Sequence, residues 1–183
     1  AGGRATSRFH AIRGANRCAA PSPADLAPML TALNTRAVIG SASGERAVAM
    51  EDFYQWSGLS CIEPNEALLR IEVPVVADAT FAFEKFAVRR SDFAESSAAA
   101  RLVWEGDRII DARLSLGAVA PLPVRIGATE RCLVENRPTF ESVSEAVERA
   151  VHGSLPLRNN AHKTLLTIAV AQRAIWRAIE ARS

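Results

Sequence analysis

The chain has 183 residues, with 22 Lys and Arg against 20 Asp and Glu, a net charge of +2 at pH 7, and 49% hydrophobic residues. That length suits one large domain or two small ones, and the apolar content is enough to bury a core. The near-balance of charge excludes the long-range field of a nucleic-acid or anionic-membrane binder, and the longest apolar run falls far short of the ~20 residues of a membrane span.

Three cysteines, Cys18, Cys61 and Cys132, lie far apart, make no CxxC pair and give an odd count. This points to reduced thiols in a reducing compartment rather than to a disulfide framework. No signal peptide with a basic start and an apolar centre is visible. The chain opens AGGRATSR without an initiator Met, as a processed end or a cut inside a longer protein would.

In chain order, Gly14-Ala15-Asn16 is a side-chain-poor turn ahead of Ser22-Pro23-Ala24-Asp25, which has the signs of a helix N-terminus. Ser22 suits the N-cap, Pro23 the first helical position, and Asp25 the carboxylate of a capping box. Leu26, Met29, Leu30 and Leu33 then predict a short helix over about 23–33, with a kink or restart at Pro28. RAVIG (36–40) and RAVAM (46–50) read as two strands around a turn, and EDFYQW (51–56) as a loop or one helical turn. EALLRIEVP (66–74) reads as a strand with Leu69, Ile71 and Val73 on one face and Leu68, Arg70 and Glu72 on the other.

After a crossing segment at 75–79, TFAFEKFAV (80–88) alternates as a strand and RRSDFAESS breaks it. Residues 98–119 form a hairpin about Gly106-Asp107, with Ile110, Ala112, Leu114 and Leu116 facing one way. Three helices close the chain. The first covers about 125–134. The second covers 139–151, is capped by Thr139, and carries Val143, Ala146, Val147, Ala150 and Val151 on one stripe. The third covers about 160–181, is capped by Asn159 or Asn160, and carries Leu165, Ile168, Ala169, Ile175, Trp176 and Ile179. The order implies an α+β protein with a front piece to about residue 75 and a rear domain of sheet plus helices.

The residues alone offer no self-contained active site. His10, His152 and His162 have no metal-ligand spacing with one another or with the cysteines, and no Walker loop, Gly-x-Ser-x-Gly or complete Gly-x-Gly-x-x-Gly occurs. Arg89-Arg90 is either a solvated pair or an anion contact. Lys85, inside a Phe-rich strand, either snorkels to the edge or meets an anion.

The ordered motifs resemble the FAD-binding (medium) subunit of the molybdenum hydroxylases, the family of xanthine dehydrogenase, carbon monoxide dehydrogenase and aldehyde oxidoreductase. FHAIRGANRCAAPSPADLAPMLTALNTRAVI (9–39) resembles the family's Gly-Gly-Asn turn and Pro-Ser-Asp-Leu helix start. GERAVAMEDFY and NEALLRIEVP resemble its next strands, LGAVAPLPVR its Gly-Gly-Val-Ala-x-x-Pro turn, and LPLRNNAHKTLLTIAVAQRAI its last helix. The details are closest to the aldehyde oxidoreductase branch.

The resemblance implies a fold in two parts. Residues 1–76 would be the truncated second lobe of an FAD-binding domain, and 77–183 a CO dehydrogenase flavoprotein C-terminal-like domain, an antiparallel sheet plus helices. It implies an electron-transfer subunit that takes electrons from [2Fe-2S] centres through FAD to an acceptor. The partners would be a large subunit with the molybdenum cofactor and a small [2Fe-2S] subunit, in the cytoplasm, or in the periplasm if exported with a partner. Gly14 and Asn16 would lie in the turn against FAD, Asp25 would accept from ribityl or nearby hydroxyls, Leu68 would pack on the isoalloxazine, and Lys85 would sit at the ring's polar edge. The resemblance assigns no catalytic residue and no metal ligand to this chain. Departures are Ala15 at the second glycine, Ala24 beside the aspartate, and the absence of the lobe that cradles the FAD pyrophosphate, expected before residue 1. The last gives a second expectation: a truncated, non-catalytic piece that docks partner subunits without binding FAD.

Overall fold

The computed structural model describes residues 25–56, 59–89, 92–156 and 159–182. The Gly14–Asn16 turn, Cys18, His10, Ser22, Pro23 and Arg90 lie outside the described residues.

The front part begins with helix α1 (Leu26–Ala32) and a three-stranded antiparallel sheet in the order β2 (Gly44–Ala49), β1 (Arg36–Ser41), β5 (Ala67–Glu72). A one-turn helix α2 (Met50–Phe53) and a small pair, β3 (Tyr54–Trp56) with β4 (Leu59–Ser60), fill the connection. Ala37, Ile39, Met50 and Phe53 form a small buried core here, with Leu30, Val48 and Ile62 packed around it. Arg46 on β2 holds Glu66 with two hydrogen bonds of 2.7 Å, which keeps the Glu66 carboxyl down at about 2.

The rear part is a four-stranded antiparallel sheet in sequence order: β6 (Ala79–Phe86), β7 (Ser96–Glu105), β8 (Arg108–Gly117) and β9 (Val124–Arg125). Helices α3 (Gly127–Glu135), α4 (Phe140–His152) and α5 (His162–Glu180) follow. β7 is buried along almost its whole length, as a central strand covered on both faces must be. Ala98, Ala100, Leu102 and Trp104 point to the core that α4 and α5 cover. α1 packs on the other side, against β7 and β8. The protein is therefore α+β, with helices segregated by face.

The elements follow the sequence pattern, with four corrections. The hairpin turn is Gly106-Asp107, with Gly106 in the left-handed region at φ 52°, but β8 carries a bulge: Val103 pairs with Asp111 and Trp104 with Ile109. The extra residue is Ile110, so Ile109 turns inward at 2% exposure and Ile110 outward at 45%. A second bulge in β5 pairs Val38 with Arg70 and Ile39 with Leu68, skipping Leu69. By register Leu68 shares the face of Ile71, not that of Arg70 and Glu72. Leu69 instead lies over Gly40, where an added Cβ would stand 2.4 Å from its Cδ1.

The third correction is α5. Its N-cap is Ala161, without a side-chain cap, so neither asparagine serves. Its buried face is Thr167, Val170, Ala171, Ala174, Ile175 and Ala178, while Leu165 is 73% exposed. Small residues let the helix approach the alanines of β7 closely. The fourth is α1. Among the described residues it starts at Leu26, not 23, and runs unbroken through Pro28, which sits in the first turn where its missing N–H has no intrahelical acceptor. α4 agrees with its expected stripe and carries a capping box in which Thr139 and Ser142 exchange bonds.

The β8–β9 connection holds Ala118 at φ 62°, a left-handed conformation that strains a side chain. Lys163, fully buried at the start of α5, donates to the Ala118 carbonyl at 2.9 Å. Burial pushes its ammonium down to about 8, opposed in part by Glu95. Two outcomes follow from this corner. Ala118→Gly raises unfolding free energy by about 1 kcal/mol in urea titration, since glycine relieves the strain. From pH 8 to 10.5 the unfolded chain keeps a Lys163 proton that the folded chain has released. Stability from this group therefore rises with pH across that window, on the order of 3 kcal/mol, and Lys163→Met flattens the rise.

Candidate flavin site

The two strand faces of the rear sheet differ in chemistry. Register sets Lys85 opposite Ser97 and Ser97 opposite Gly117. On the same face Arg101 lies opposite Arg113, and Ser115 opposite Arg125. This is the face turned to α1. Its polar groups are held against the front part of the chain rather than against the helical core.

Asp25 is the N-cap residue of α1, but its side chain makes no cap bond. It turns to the sheet, where its Oδ2 accepts from the Lys85 Nζ at 2.7 Å. The sequence reading gave Asp25 a capping role and left Lys85 between an edge and an anion. The structure pairs the two, across 60 residues of sequence. The other carboxylate oxygen, Oδ1, is buried without a hydrogen-bond partner among the described residues. Such an acceptor, beside a fixed ammonium, has the chemistry to take a ligand hydroxyl.

Leu68 lies in the other sheet, on edge strand β5, and is 41% exposed. Every residue of β5 is exposed, including Leu69 and Ile71, and the apolar surface continues to Val73, Val75 and Val76. An aliphatic surface of this kind can cover a planar ring. Gly14 and Asn16 are outside the described residues, so the structure brings together two of the five expected site residues, Asp25 and Lys85. The Asp25 acceptor and the Lys85 cation have the chemistry to fit the hydroxylated chain of a flavin.

Sequence reasoning missed a charge network between the two parts. Glu51 in α2 accepts from Arg113 on β8 and, at 2.9 Å, from Arg125 on β9. Arg125 also grips Glu130, whose Oε1 accepts from the backbone N–H of Leu114 at 2.7 Å. Burial, then the neighbouring Arg125, pushes the Arg113 guanidinium down, while Glu130 first and Glu51 after it hold Arg125 up. Arg101 is buried and pairs with Asp111. The one available signal was alternation: arginines on the inward phase of two adjacent strands need carboxylates.

None of three cavities is lined by Asp25, Leu68 or Lys85, though the one beside α3 is lined in part by Arg125, Glu130 and Asp111. Two, of about 490 and 580 Å³, flank Trp104, on which Arg182 stacks at 4.5 Å, and one of about 570 Å³ lies beside α3. Cys61 and Cys132 are free thiols. Among the described residues no three His, Cys, Asp or Glu are placed to hold a metal, and no helix is long and apolar enough to cross a membrane.

Glu51→Ala leaves Arg113 and Arg125 short of a shared carboxylate. It lowers stability by about 1–3 kcal/mol in urea titration, with loosening reported first by Trp56 and Tyr54, near α2.

Residues 81–177 match the CO dehydrogenase flavoprotein C-terminal domain, and residues 2–76 match the FAD binding domain in molybdopterin dehydrogenase. The chain is 31% identical over 175 residues to the caffeine dehydrogenase subunit beta of Pseudomonas sp. (strain CBB1), covering 91% of this chain and 59% of that one. Among solved structures it resembles quinoline 2-oxidoreductase from Pseudomonas putida 86, with a TM-score of 0.78, 30% identity, and coverage of 88% of this chain and 57% of that one. The Cu,Mo-CO dehydrogenase in its cyanide-inactivated form gives a TM-score of 0.80 at 26% identity, covering 88% and 58%. The chain spans about six-tenths of the length of the caffeine dehydrogenase subunit. With both parts matched in order, the chain belongs to the FAD-binding medium-subunit family of the molybdenum hydroxylases.

Proposed function

We propose that the chain is the portion of a molybdenum-hydroxylase flavin subunit that holds the ribityl and ring end of FAD. In this reading it relays electrons from [2Fe-2S] centres of a small partner subunit to an acceptor. A large partner subunit with the molybdenum cofactor carries out the substrate chemistry, and the assembly works in the cytoplasm. Residues 1–76 form the second lobe of the FAD-binding domain and 77–183 the C-terminal domain. The observation that carries the reading is the Asp25–Lys85 pair, in which one buried carboxylate oxygen has no hydrogen-bond partner among the described residues.

FAD, when bound, supplies the reversible uptake and release of electrons. The chain's own residues bind and orient it. Asp25 would accept a hydrogen bond from a ribityl hydroxyl while Lys85 fixes its carboxylate. The Lys85 ammonium would favour a reduced, anionic flavin over the oxidised neutral one. Leu68 would cover a ring face, and Gly14 and Asn16, outside the described residues, are the remaining expected contacts.

Titration of FAD into the purified chain, followed by flavin fluorescence and calorimetry, tests the reading. Saturable binding with one flavin per chain is expected. Asp25→Asn and Lys85→Ala each weaken it about tenfold, equivalent to ~1.4 kcal/mol. Absence of saturable binding overturns the reading and leaves a piece that docks partner subunits without FAD, for which the partly exposed Leu68, Leu69 and Ile71 of β5 speak.

A further inference from the structure

We propose that Gly117 is a positioning residue for the Asp25–Lys85 pair: its missing side chain lets α1 settle on the sheet at the height that brings the carboxylate onto the ammonium. The functional consequence rests on the flavin reading above; the positioning itself does not.

Lys85, Ser97 and Gly117 are direct partners across β6, β7 and β8, one row of a single sheet face. Helix α1 lies along that row. Its N-cap Asp25 meets Lys85 at one end, and three residues later Pro28 meets Gly117 at the other. A Cβ on Gly117 would stand 2.5 Å from the Ser97 Oγ, 2.7 Å from the Pro28 Cγ and 3.3 Å from its Cδ. The serine hydroxyl escapes by rotating about χ1. The proline ring is closed onto the backbone of α1, so it escapes only if the helix moves. Asp25 lies in the same turn and moves with it.

Gly117 is not there for its backbone freedom. The glycines with positive φ among the described residues are Gly44 and Gly106, so space is the remaining reason for a glycine at this position. Nor does the sheet yield in place of the helix. The next residue, Ala118, is locked in the left-handed region with its carbonyl held by the buried Lys163. Gly117 itself, the last residue of β8, pairs with Ser97 of the inner strand β7. Between a sheet fixed on both sides and a seven-residue helix that rests on it, the helix gives way.

A double-mutant cycle on the full chain tests this without flavin. Asp25→Asn lowers the folding equilibrium constant about fivefold in the wild-type background. In the Gly117→Ala background the same change costs less than about twofold, because the ion pair is already parted. Pro28→Ala added to Gly117→Ala makes room for the new Cβ and restores the Asp25→Asn effect. An undiminished Asp25→Asn effect in Gly117→Ala overturns the proposal. Should Gly117→Ala not fold alone, the Gly117→Ala/Pro28→Ala pair carries the test: it must fold and show the Asp25→Asn effect, and failure of either overturns it. A parallel FAD titration expects Gly117→Ala to weaken binding about tenfold and the Pro28→Ala pair to recover it. Loss of stability coupling with unchanged FAD affinity would uphold the positioning and overturn the flavin role of Asp25.

Discussion

The rear sheet has to satisfy two unlike neighbours at once. One face meets three helices and is apolar: Ala98, Ala100, Leu102, Trp104, Leu114 and Leu116 sit under Val143, Val147, Val170, Ala174 and Ile175. The other carries Lys85, Ser97, Arg101, Arg113, Ser115 and Arg125, on residues of the opposite phase. Polar groups placed inward cost free energy unless partnered. The structure meets that demand from the front part of the chain, with Asp25 on Lys85 and Glu51 on Arg113 and Arg125. The two parts are thus joined both by these ion pairs and by the packing of α1 on β7 and β8.

Among the described residues the front part has a small core of its own, Ala37, Ile39, Met50 and Phe53. β5 is left with solvent on both faces. Relatives in the family are longer, and this chain spans about 59% of the caffeine dehydrogenase subunit. The rear part, by contrast, has a continuous core running from β6 to α5 and reads as the rigid platform.

Rigidity matters for a redox cofactor because its potential responds to charges placed a few ångströms away. A lysine on a strand of a well-packed sheet is a better defined charge than one on a loop. Lys85 has that support on β6. Asp25 belongs to a short helix whose place depends on how it seats, and Pro28 over Gly117 is that seat. The conformational strain at Ala118 lies one residue from the seat, where the Ala118 carbonyl accepts from Lys163.

The amino-acid sequence by itself determined the element order, because period-2 and period-3.6 patterns are local properties. The strands at 36–40 and 80–88, the hairpin about Gly106, and the stripe of α4 were legible in this way. So was the family, since its motifs are short and keep their order. It did not determine which phase of a strand faces inward past a bulge. One inserted residue in β8 exchanges Ile109 for Ile110, and another in β5 turns Leu68 over, because alternation carries no mark of where a pair is skipped. Nor could it assign partners to isolated charges. Asp25 looked like a cap, and only the approach of α1 to β6 made it the counter-ion of Lys85. Gly117 was legible as part of a turn motif, but its use, room for a proline ring from a helix almost ninety positions earlier, exists only once the layers are stacked. Distance along the chain does not encode distance in space, and packing decides what each lone polar or small residue is for.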